Sequence, residues 1–152
     1  MRSTGCAVLI GIAMTGCAPV ATYPPDQGAL DLSGPRTEPV PTLMTEAIRF
    51  AHYRYGEDGE FAINLPPGTP PQVYGWVIRR LGAGHPMQDP GEPTYHVTKV
   101  LVRGRHGSVD LFYPTDGGGY QFATISLEGD FVSGYRHVGT RLWSTGDEPP
   151  PP

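Results

Sequence analysis

The sequence predicts an α+β domain in which two N-terminal helices pack on a curved four-stranded antiparallel meander. Three observations predict it: apolar residues at helical spacing between Thr42 and Leu81, a switch to two-residue alternation between Tyr95 and Trp143, and proline-rich stretches on either side. The 152 residues then divide into 1–16, a leader that is removed, 17–41, a flexible proline-rich segment, 42–145, a single domain, and 146–152, a disordered proline tail.

The first helix is expected from about Thr42 to Tyr55. Thr42 suits the N-cap, Met44, Ile48, Ala51 and Tyr55 form one apolar stripe with Ala47 beside them, and Gly56 suits the end. Phe61 to Leu65 reads either as an edge strand or as an extended connector, closed by Pro66 and Pro67. In the second helix, Thr69 and Gln72 form a capping-box pair around Pro70, and Gly82 stops the element after Leu81. Val73, Val77 and Leu81, with Tyr74 and Ile78, face inward.

Side-chain parity sets the expected strand register. An even loop over Gly104–Gly107 puts Arg103 against Ser108, Val102 against Val109 and Val100 against Leu111, whereas a one-residue slip would set Val102 against Asp110. The next hairpin turns through Asp116 and three glycines, pairing Leu111 with Ala123 and Val109 with Ile125. A turn at Gly129-Asp130 then sets Leu127 opposite Val132. This register also gathers Leu101, Phe112, Phe122 and Tyr135 on the opposite face, among Lys99, Arg103, Asp110, Ser126 and His137. That face is either partly covered by the second helix or the Gly84–Pro93 loop, or partly buried by strong curling of the sheet, or it is a partner-binding or self-association surface.

Catalytic signatures are absent from the residue pattern. The five histidines, at 52, 85, 96, 106 and 137, include no i, i+4 helical pair and no cysteine partner, so no metal site is expected. Glu57, Asp58 and Glu60 cluster in a loop without the spaced ligands of an EF-hand. The Asp116–Gly119 run precedes a strand and lacks the Lys and Ser or Thr of a P-loop, so it reads as a hairpin tip. Without a Gly-x-Ser-x-Gly elbow or a motif for any cofactor, the chain is expected to be no enzyme.

The leader carries the most specific signal. Arg2 supplies a positive start, Ala7 to Met14 an apolar run too short to span a bilayer, and Thr15-Gly16 small residues before Cys17. Met14-Thr15-Gly16-Cys17 resembles the lipobox of bacterial lipoproteins, although that family usually has Leu where Met14 stands. The resemblance implies that Cys17 receives a diacylglycerol, that the leader is cut just before it, and that the new amine is often acylated as well. Cys6 also follows Thr-Gly, but no apolar run precedes it. The competing reading is an ordinary secretory signal cut at a nearby alanine.

Removal of residues 1–16 takes Arg2 with it and leaves 136 residues with ten Lys and Arg against 15 Asp and Glu, a net charge of −5. Such a chain lacks the clustered cations that bind nucleic acid or anionic headgroups, so membrane contact is expected through the lipid at Cys17. No second cysteine remains for a disulfide. The six prolines between Ala18 and Pro41 suggest a flexible tether spanning on the order of 25–30 Å, which would hold the domain away from the bilayer. In a host with two membranes, Ala18 after the lipidated cysteine implies the outer membrane facing the periplasm.

Two helices followed by a curved meander are similar, through element order alone, to a reduced cone-shaped domain of the NTF2-like or cystatin-like kind. That resemblance implies a ligand pocket lined by Tyr55, Tyr74, Trp76, Tyr113 and Trp143. The expected function is a lipid-anchored cell-envelope binding or interaction module. The alternatives are a carrier of a small apolar ligand and an NTF2-like enzyme.

Overall fold

A computed structural model describes residues 20–26, 30–31, 34–56, 59–130 and 134–146. The lipobox, Glu57, Asp58, Val132 and the proline tail lie outside these residues.

Helix α1, Val40–Tyr55, forms around the apolar stripe that the sequence presents: Leu43, Met44, Ala47, Ile48 and Ala51 are fully buried. It starts two residues before Thr42, because Pro41 fits the first turn, where no backbone N–H is needed. Thr42 therefore sits inside the helix and is not its cap. Its hydroxyl donates to Glu38 Oε2 (2.6 Å) and accepts from Arg80 Nη1 (2.7 Å), joining the start of α1 to the end of helix α2, Pro71–Leu81. Gly82 ends α2 in the left-handed region at φ 78°, as its sequence position predicts. The Thr69–Gln72 capping box does not form. Thr69 Oγ1 donates instead to Pro66 O (2.6 Å), and Gln72 accepts from Arg36 (2.9 Å).

The four-stranded meander is there as β5 (Thr94–Arg103), β6 (His106–Pro114), β7 (Tyr120–Asp130) and β8 (Gly134–Gly146), each antiparallel to the next. It is only part of the sheet. Strands β1 (Val20–Tyr23), β2 (Leu30–Asp31), β3 (Ala62–Asn64) and β4 (His85–Pro86) extend it, giving eight strands among the described residues and a mixed sheet in place of a purely antiparallel one. Nor do both helices precede the strands: β1 and β2 come before α1, and β3 separates α1 from α2. The reason lies at the outer edge of β5, which would otherwise leave ten residues of backbone unpaired. Antiparallel β1 takes one end of that edge, with Val20 opposite Arg103 and Tyr23 opposite Val100. Parallel β3 takes the other, with Ala62 opposite Thr94 and Asn64 opposite His96. Part of the stretch expected to be tether is thus strand, with Ala21 and Tyr23 turned into the core.

Register departs from expectation in two places. The β5–β6 hairpin closes through Gly104-Arg105, with Gly104 at φ 60°, so Val100 faces Val109 and Val102 faces Gly107. This is a shift by two, which keeps Val100, Leu101 and Val102 on their expected faces; farther along, the irregularity between Val97 and Lys99 turns Val97 into the core. Gly107 is a strand residue, not a loop residue, because Leu43 of α1 lies where its Cβ would be. From β6 to β7 the expected pairs Leu111–Ala123 and Val109–Ile125 occur. Beyond them, β7 runs on through Asp130, so Leu127 pairs with His137 and Gly129 with Tyr135. That shift is by an odd number and moves Tyr135 to the helix side.

Helix α1 lies across β5 to β8, and α2 packs on α1. The core sits between the helices and one sheet face, where Val97, Val100, Val109, Leu111, Ala123, Ile125 and Leu127 point inward. No described helix is long and apolar enough to cross a membrane.

Candidate functional site

The sheet face turned away from both helices carries a row of aromatic rings across β6, β7 and β8. Phe112 and Phe122 are cross-strand partners, stacked with centroids 4.6 Å apart, and the Trp143 ring lies 6.1 Å beyond Phe122. Strand alternation brings the phenylalanines together, since Leu111 and Ala123, their neighbours, point into the core. The Trp143 Nε1–H donates to Thr124 Oγ1 (2.9 Å), which donates to Asp110 Oδ1 (2.6 Å). The Arg141 guanidinium lies 3.9 Å from the Trp143 ring centroid, a cation–π contact. Trp143 is 41% exposed. One partly exposed face thus brings together aromatic rings, a cation and a hydroxyl–carboxylate pair.

Of the four residues expected on this face, only Phe112 and Phe122 meet. Leu101 is opposite Ser108 and Thr22, nearer the other end of β5, and Tyr135 packs against the core beside Gly129 on the helix side. Burial pushes the Tyr135 phenol up, helped by the nearby Glu38 carboxylate. Sequence reasoning missed Trp143 and Arg141 as members of the row, because β-bulges in the β7–β8 pairing hide the parity of β8.

The expected aromatic pocket does not form as one cavity. Tyr55 and Tyr113 stack at 4.8 Å, but Tyr74 lies at a different cleft, Trp76 is 40% exposed beside Arg36, Arg79 and Arg80, and Trp143 is on the outer sheet face. The five come from four elements, Tyr74 and Trp76 sharing α2, whose faces the sequence does not relate. Among the described residues several clefts form in its place, two of them beside a buried tyrosine or histidine.

The first, about 240 Å³, lies where α1 ends against the β6–β7 turn, lined by His52, Tyr55, Glu60, Phe61, Tyr95 and Asp116 among others. His52 Nδ1 is 3.1 Å from the Tyr95 hydroxyl. Burial, then the neighbouring Tyr113, pushes the Tyr95 phenol up to about 12, so it stays protonated and hydrogen-bonding. Burial and Tyr55 push Tyr113 to about 12 as well.

The second, about 360 Å³, opens on the β5 edge between the ends of β1 and β3, beside the irregularity between Val97 and Lys99. Here Tyr74 Oη donates to Asn64 Oδ1 (3.3 Å), and Asn64 Nδ2 donates to His96 Nδ1 (3.2 Å). His96 is 3% exposed, its Nε2 has no hydrogen-bond partner among the described residues, and burial lowers its pKa to about 4. It is therefore a neutral ring, T-shaped against Tyr120 at 5.3 Å. His137 is far from it in the sheet order, stacked on Phe50 at 3.7 Å.

Among the described residues, no group of three or more His, Cys, Asp or Glu is placed to hold a metal ion. No protein-family model, curated protein or solved structure matches the chain.

Proposed function

We propose that this protein is a lipid-anchored module of the bacterial cell envelope that binds a protein partner through the outer face of its sheet, without catalysis. The supporting observation is the Phe112–Phe122–Trp143 row with Arg141 against it, on the face opposite both helices. Arg and Trp concentrate binding energy at interfaces because they offer large contact area with a polar handle. The address rests on Met14-Thr15-Gly16-Cys17, which supplies the acylated cysteine.

The test is a pull-down from envelope fractions using the Phe112→Ser/Phe122→Ser double variant beside the unaltered protein, with a far-UV spectrum of each. The expected outcome is a folded variant that loses its partner. A variant that folds and retains every partner refutes the role of this face.

A second reading rests on the His52–Tyr95 cavity. Its lining is polar as well as aromatic, which favours a small hydrogen-bonding ligand over the apolar cargo of a carrier. A ligand that raises the melting temperature of the protein but not of a His52→Ala variant supports this reading.

A further inference from the structure

We infer that the end of the sheet bearing Val20 and the β5–β6 hairpin rests against the lipid surface, and that the His52–Tyr95 cavity faces away from it. The inference rests on acylation of Cys17 under Proposed function and adds an orientation to it.

The first described strand leaves little slack. Cys17 is three residues from Val20, so the chain between them spans at most about 11 Å, however it runs. Val20 is fixed in the sheet, opposite Arg103. An acyl chain on Cys17 therefore holds the Arg103 end of β5 within about that distance of the bilayer interface. A domain on a long flexible tether would have no such constraint.

Everything that shares this end follows from strand direction. Gly104-Arg105 turns here, β6 begins at His106, β7 ends at Asp130 and β8 begins at Gly134. Arg103 is exposed beside an exposed Val20, and the two offer a cationic and an apolar contact of the kind that suit phospholipid phosphates and the headgroup boundary. Asp130 is at the same end, and Glu128 is already paired with Arg136 at 2.8 Å. The opposite end is the Thr115–Gly119 turn, at the far end of nine-residue β6, about 30 Å away. Asp116 in that turn lines the His52–Tyr95 cavity.

The test uses the acylated protein purified from membranes and reconstituted in phosphatidylcholine vesicles. With Cys6 removed and Cys17 alkylated, an introduced cysteine is the one free thiol. Arg103→Cys and, as an independent second site, His106→Cys are compared with Asp116→Cys; all three positions are exposed. Each carries a fluorophore, quenched by lipids bearing a nitroxide on the headgroup. The expected result is several-fold stronger quenching at 103 and 106 than at 116. Equal quenching at both ends, or stronger quenching at 116, overturns the orientation while acylation stands. An intact mass that shows Cys17 without lipid overturns both the orientation and the anchor.

Discussion

His96 is where a single side chain most clearly records its surroundings. An unfolded histidine titrates near 6.5 and this one near 4, because burial penalises the imidazolium. Between those values the unfolded chain binds a proton that the folded chain does not. The associated stability is therefore complete above 6.5 and falls as pH drops toward 4, by about 3 kcal/mol in all. Urea unfolding across that range should show the slope in the unaltered protein and a much flatter one in His96→Leu. Gly107 is the other informative residue. A methyl group there would overlap Leu43, which is fully buried, so Gly107→Ala should lose about 1–3 kcal/mol by denaturant midpoint. In the sequence, His96 looked like one more unpaired histidine and Gly107 like one more loop glycine. Neither its burial nor the helix above the glycine is written in local pattern.

At the scale of elements, α1, α2 and β5 to β8 were legible because each is long enough for its periodicity to show. The short strands were not. Val20-Ala21-Thr22-Tyr23 is four residues ahead of a Pro-Pro pair, and nothing local distinguishes it from an extended linker. Its strand character comes from the free edge of β5, some 80 residues later in the chain. Tyr23→Ala tests this assignment. The side chain is 6% exposed and its hydroxyl bonds Thr69 Oγ1 at 3.0 Å, so its truncation should cost about 2–4 kcal/mol, whereas truncation in a solvated tether would cost almost nothing. Register shows the same division. The even shift at the β5–β6 hairpin kept Val100 and Val102 on their expected face, but the odd shift between β7 and β8 carried Tyr135 across the sheet and out of the expected docking surface.

For the whole molecule, the decisive proposal is attachment. Cys17→Ser should move the protein from the membrane to the soluble fraction of a cell lysate, because the substitution removes the sulfur that would carry the lipid. The acidic balance, the two helices and the four long strands were all set by residue types at short spacing, which sequence alone displays. Which aromatic residues complete the row, where the cavities open and that Val20 already belongs to the sheet depended on pairings between residues far apart in the chain. Such pairings are chosen by burial and by the need to satisfy a sheet edge, and only the folded chain reveals which partner fills it.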